Sequence, residues 1–427
     1  MKSKLMLKKI KSILSFFKKE ILKETWFLIL ILTIASFLLR LWHLGAIKDE
    51  IFDEVYFVNF AKNYLTGTSF FDIHPPLGKL ILALGIKIFD AEIGWRIMPA
   101  IFGAALIPLG YLSGKELAGP PATPEHSDGG RGKIVGIFTA LIIAFDGMIL
   151  VYSRLGLIDI FLSFFILLSF YGFLKFANSK KTIFLFLAGI SLGLAASVKY
   201  IGALVLLIFL VIGIVKKVPF VKNLIKYFIF IVVLPAIIYI AFFLFNFPLN
   251  RQFIHELINW HYQSFNYNLH LSDGHPYASK WWGWFLLLRP IWLYFKDINN
   301  RFIGVVGLGN PLAWWSAIVV IPLLIWGAIK KSKTSIIILS SVLIFWLFWA
   351  PFSRVLFMYH AMPAFIFLSM GIAFYLEKLL KEKYGRILVT LYFIILIGLF
   401  IFFLPVWLGL PIEANQFYHR TWFKSWI

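Results

Sequence analysis

Residues 25–41 read TWFLILILTIASFLLRL, an almost unbroken apolar run whose one charge, Arg40, comes at its end. With its flanks it fills 24–43, and roughly 20 predominantly apolar residues are what an α-helix needs to cross a bilayer. No small-residue cleavage site follows, so the run reads as a retained span and not as a leader. Working outward, ten more stretches have the same character: 95–115, 133–150, 157–176, 182–197, 200–216, 225–247, 312–329, 334–352, 355–377 and 386–406. The whole chain of 427 residues is 61% hydrophobic and 14% charged, with a mean hydropathy of +0.86. Soluble domains carry about a quarter charged residues. The expectation is therefore an all-α polytopic membrane protein with about eleven transmembrane helices.

The 41 Lys and Arg outweigh the 20 Asp and Glu, for a net charge of +21. In a soluble protein such an excess suggests nucleic acid. Here the cations fall in short runs between apolar stretches, the pattern that sets membrane topology, so no nucleic-acid partner is expected. The Lys-rich segment 1–23 is placed in the cytoplasm. Alternation then puts Lys180/Lys181, Lys216/Lys217, Lys330/Lys331 and Lys378/Lys381 inside as well, and the C-terminus outside. The absence of cysteine excludes disulfides, thiolate metal sites and a Cys nucleophile.

This topology makes 24–427 one transmembrane domain with two long external segments. In the first, 44–94, Phe57, Phe60, Ala61, Tyr64 and Leu65 follow a helical spacing, as do Leu77, Leu80, Ile81, Leu84 and Ile88. They predict two amphipathic helices at the interface, joined by a turn through Asp72–Pro76. The second, 248–311, is rich in Trp, Tyr and His and is read as a loop at headgroup depth. Residues 119–133, GPPATPEHSDGGRGK, are read as a cytoplasmic linker.

Chemistry is sought among polar groups on the outer face. Asp53 and Glu54 begin the first amphipathic helix, where a carboxylate either caps the helix or, partly desolvated, serves as a general base. Lys79, Arg96, Arg154, Arg289 and Arg354 lie at outer span ends or in outer loops, against the positive-inside tendency. One such cation snorkels to headgroups; five beside Asp53, Glu54 and Asp159 suggest a site for a phosphate-bearing lipid. His255, His261, His270 and His275 lack metal-ligand spacing, since His255-Glu256 has no second His four residues on. Transport would require ionisable groups at mid-membrane and two related halves, neither of which is evident.

Several stretches resemble the protein O-mannosyltransferases, which use polyprenyl or dolichyl phosphate mannose. They are FDEVYFVNFAKNYLTGTSFFDIHPPLGKLILAL at 52–84, GWRIMPAIFGA at 94–104, SRLGLIDIFLSFF at 153–165, SVKYIGAL at 197–204, LLRPIWLYF at 287–295, GNPLAWW at 309–315 and SRVLFMYHAMPA at 353–364. The resemblance implies the GT-C glycosyltransferase fold and an inverting transfer of mannose to Ser/Thr hydroxyls of acceptor polypeptides, at the extracytoplasmic face of a prokaryotic plasma membrane. It implies no metal or other cofactor. Asp53 matches the family's catalytic acid/base position and Glu54 its neighbour. His74, Lys79, Arg96, Arg154, Asp159, Arg289, Arg354 and His360 match substrate-binding positions, with Lys79 and Arg289 the expected phosphate ligands. The β-rich domain that eukaryotic members carry in the long external loop has no room in the roughly 64 residues here. A transferase of the same fold acting on lipid or glycan is the alternative.

Overall fold

The computed structural model describes residues 24–89, 91–119, 130–219, 221–271 and 274–427. The basic segment 1–23 and most of the linker lie outside them.

In chain order the first helices are α1 (Glu24–Leu41), α2 (Glu54–Thr66), α3 (Leu77–Ile88), α4 (Ala91–Ala118), α5 (Gly130–Ala144) and α6 (Gly147–Tyr152). Then come α7 (Asp159–Ser179), α8 (Thr182–Val198), α9 (Val205–Val215), α10 (Leu224–Phe228), α11 (Leu234–Phe243) and α12 (Phe253–His270). After the strands β1 (Ile291–Ile298) and β2 (Arg301–Gly307) follow α13 (Pro311–Trp315), α14 (Ala317–Ile329), α15 (Lys333–Leu347), α16 (Met362–Leu379) and α17 (Gly385–Leu408). The short strand β3 (Ile412–Glu413) and α18 (Ala414–Tyr418) come last.

Among the described residues, seven helical stretches are long and apolar enough to cross a membrane, and three more are apolar but shorter. With α5 they occupy all eleven predicted segments. The stretch ending in α16 is buried over 94% of its apolar window, whereas those of α1 and α17 are buried over 22%. A helix apolar all round and buried belongs at the centre of a bundle; apolar helices with exposed faces belong against lipid. Around α16 pack α5, α7, α14 and α15, and α4 lies between α5 and α7.

Three departures from the predicted elements have physical causes. The segment 133–150 is not one helix: it breaks at Asp146, which caps α6 by accepting from Ile149 N at 2.9 Å. The other oxygen of Asp146 accepts from Asn310 N (3.0 Å) and Trp314 Nε1 (2.8 Å), so the break is tied to α13. The linker ends early, because Gly130–Lys133 is already the first turn of α5. The segment 248–311 is only partly a loop: it holds α12 and the hairpin β1–β2, to whose second strand β3 adds in the order β1-β2-β3. Among the described residues the chain carries one small antiparallel sheet beside its helices, which the near-continuous apolar reading of IWLYF could not separate from a buried helix.

The two amphipathic helices of the first external segment appear as α2 and α3. Phe57, Val58 and Ala61 of α2 are buried, and α2 packs on α3, which packs on α4. Helix α12 stands apart. Its Phe253 and Trp260 join Phe243 of α11 in a cluster separate from the main core, while Ile254, Ile258, Tyr262, Phe265 and Leu269 remain exposed.

Candidate active site

Most of the predicted cations of the outer face are consumed in holding the first external segment in place. Glu54 is fully buried and accepts four hydrogen bonds: from Arg96 Nε (2.9 Å) and Nη2 (2.7 Å), Gly156 N (2.6 Å) and Ile51 N (3.1 Å). A side chain at Gly156 would come within 2.9 Å of Trp95, so only glycine lets that amide reach the carboxylate. Arg96 spends its remaining donors on the backbone oxygens of Leu44 (3.3 Å), Ile47 (2.6 Å) and Asp49 (3.0 Å). A bidentate, fully paired buried carboxylate has no lone pair left for a substrate. The reading of Glu54 as catalytic and of Arg96 as substrate-binding is corrected accordingly: the pair is a clamp.

Arg154 donates to Leu39 O, Arg40 O, Trp42 O and His43 O at 2.7–3.3 Å, satisfying the carbonyls that the end of α1 leaves unpaired. Lys79 is completely buried. It donates to His74 O (2.7 Å) and Pro75 O (2.6 Å) and pairs with Asp72, so its three protons fix the Asp72–Pro76 turn. Arg289 donates to Pro276 O (2.8 Å) and to Ser425 O and Ile427 O (2.7 Å each). Neither Lys79 nor Arg289 is among the residues lining the cavity described next, so the phosphate contacts expected of them fall to other side chains.

A cavity of about 690 Å³ opens beside this scaffold. Four predicted residues line it: His74 from the turn, Asp159 from the first turn of α7, and Arg354 and His360 ahead of α16. Lys199, Tyr200, His261, Asn268 and Tyr359 join them, none of which was singled out from sequence as a site residue. Lys199 forms an ion pair with Asp159 at 2.8 Å and lies 5.6 Å from the centre of the Tyr359 ring. Arg354 is bonded to Asn268 of α12. The other walls are apolar, with Ile258, Phe265, Leu269, Phe348 and Phe352. Lys199 could have been found by the argument used for the other cations: it stands alone in the short outer turn between two apolar stretches, where topology disfavours it.

Asp53 lies at the N-terminus of α2 and makes no cap hydrogen bond with its side chain. The residue before it, Phe52, has φ +53°, a left-handed backbone that costs a bulky side chain energy and tends to persist at functional sites. The Phe52 ring meets those of Phe357 and of the cavity residue Tyr359, with centroids 5.8 and 6.2 Å apart. Burial raises the Asp53 pKa to about 6; Lys199 opposes the rise, and Asp159 and Asp72 add to it. The adjacent carboxylates therefore differ completely: Glu54 is saturated by protein donors, and Asp53 is uncommitted and close enough to the cavity residues Lys199 and Asp159 to feel their charges. Burial and the cations Lys199, Lys79 and Arg354 push the His74 pKa well down, so its imidazole is neutral at pH 7. Among the described residues no three His, Cys, Asp or Glu side chains converge as metal ligands would.

The family model described as dolichyl-phosphate-mannose-protein mannosyltransferase matches residues 30–250, and that of the C-terminal four-TMM region of protein-O-mannosyltransferase matches 253–426. A polyprenol-phosphate-mannose–protein mannosyltransferase of Mycobacterium tuberculosis is 24% identical over 94% of this chain and 92% of its own. The protein of the same name from Corynebacterium glutamicum is 26% identical over 83% and 81%. Among solved structures, the S. cerevisiae Pmt1-Pmt2 complex bound to the sugar donor superposes with a TM-score of 0.80 at 15% identity, over 95% of this chain and 93% of that one. ArnT from Cupriavidus metallidurans bound to undecaprenyl phosphate gives 0.61 at 14% identity, over 89% and 76%. The fold is that of a multi-span membrane glycosyltransferase of the GT-C class. Within that class, the chain belongs to the dolichyl-phosphate-mannose-protein mannosyltransferase family.

Proposed function

We propose that this protein transfers mannose from a polyprenyl (dolichyl) phosphate mannose to Ser/Thr hydroxyls of polypeptides at the extracytoplasmic face of the plasma membrane. The observation that carries the reading is one cavity, apolar on several sides, that gathers Lys199, Arg354, His74 and His360 beside an uncommitted Asp53. The cations hold the donor phosphate and stabilise the charge it gains as it leaves. The acceptor oxygen attacks the anomeric carbon. The carbon–oxygen bond to phosphate breaks with its electron pair going to phosphate, and the hydroxyl proton passes to Asp53. One displacement inverts the anomeric centre, and phosphate leaves without a second carboxylate acid or a metal.

The reading is tested with purified protein, radiolabelled polyprenyl phosphate mannose and a Ser-bearing peptide. An α-linked mannosyl peptide is the expected product; label found only on lipid or glycan would overturn it. In the same assay Lys199→Met should raise the donor KM about 10- to 100-fold, the range for losing a hydrogen bond to a charged group, and leave the acceptor KM unchanged. Because the base works only when deprotonated, kcat/KM should be flat above pH 7 and fall about tenfold per unit below about pH 6. A profile that stays flat to pH 4.5 would remove Asp53 from the role.

A further inference from the structure

The order β1-β2-β3 leaves β1 at the edge of the sheet. Among the described residues, no backbone hydrogen bond to another element reaches 293–298 from the side away from β2. The outer half of the strand is exposed, with Phe295 at 51% and Ile298 at 43%. Natural proteins usually blunt such an edge with a proline, charged side chains or a covering segment, because its unpaired N–H and C=O groups template any extended chain. Among the described residues no proline stands within β1 and no segment pairs with this edge, whose charges are the opposite pair Lys296 and Asp297.

The strand is also tied to the surroundings of Asp53 at two points. Tyr294 donates its hydroxyl to Asp49 at 3.1 Å, four residues before Asp53. Arg289, two residues before β1, lies 5.2 Å from the centre of the Tyr277 ring; that ring contacts His275, which meets Phe52. The strand thus stands against the segment that leads into Asp53. A peptide transferase must hold its acceptor extended to present one hydroxyl, and pairing through the backbone accepts many side-chain sequences.

We propose that the edge of β1 over 294–298 is a docking strand for the acceptor polypeptide, which adds to the sheet as an extended segment and so leads a Ser or Thr toward Asp53. This rests on the reading of a polypeptide acceptor given above.

A Ser-bearing peptide N-methylated at one backbone position at a time, assayed with the full-length protein at fixed donor, tests it. In an antiparallel pair every second residue bonds to the neighbouring strand. The acceptor KM should therefore rise about five- to tenfold at alternate positions, with the donor KM unchanged. A photo-crosslinking p-benzoylphenylalanine at position 295 should capture the unmethylated peptide in the absence of donor, and Phe295→Lys should raise the acceptor KM alone. A flat or non-alternating methylation profile, or crosslinks only to a second copy of the chain, overturns the docking strand while peptide mannosylation persists. Failure to mannosylate any peptide overturns the acceptor reading itself, and this inference with it.

Discussion

Asp53→Asn should leave the protein folded and lower its mannosyl transfer by about 10²- to 10⁴-fold, the usual cost of deleting a placed general base. The substitution keeps the shape of the side chain and removes only its capacity to take a proton. Asp53 makes no capping bond, so α2 loses nothing that asparagine does not supply. Burial that lifts the pKa to about 6 is what makes the carboxylate a better base than an exposed one, while leaving it ionised at pH 7. The loss should appear in kcat with the donor KM nearly unchanged, since in the proposed reaction the phosphate is held by Lys199 and Arg354 and not by Asp53. Asp53→Ala at near-normal turnover would reject the assignment.

Arg96→Met, in α4, should destabilise the anchoring of the first external segment by about 3–5 kcal/mol, because it leaves the buried Glu54 carboxylate without its counter-ion. Arg96 and Glu54 are 2% and 0% exposed and share two hydrogen bonds, and Arg96 also gathers three carbonyls of 44–49. Thermal unfolding in detergent should show a large drop in midpoint. The double variant Arg96→Met, Glu54→Gln should recover part of it, because the orphan charge is gone. Activity lost at Glu54 would then track folded fraction, unlike activity lost at Asp53. Equal midpoints for the single variant and the parent would dismiss the clamp.

How much could be read from sequence follows from what periodicity encodes. Apolar run length located the eleven helical segments, and i, i+3, i+4 spacing located α2 and α3, because both are local quantities. Asp53, His74, Asp159, Arg354 and His360 were named from their place on the outer face, and each lies in or beside one cavity. The sorting of cations was not legible. Lys79, Arg96, Arg154 and Arg289 spend their donors on backbone carbonyls or buried carboxylates, and apart from those of Lys79 these partners lie far off in the chain, as Leu39 does from Arg154. The sheet was missed because β3 comes from residues 412–413, more than a hundred positions after the strand it joins.

Helix α12 forms one wall of the cavity yet is fastened to α11 through three aromatic rings outside the main core. Local stability follows local apolar contact, so this hairpin should release by sub-global opening well below the free energy of complete unfolding. Deuterium uptake along 253–270 should outpace that of α16 under native conditions. Under the proposed function, opening there would give a lipid carrier a lateral way into the cavity while the bundle around α16 stays closed.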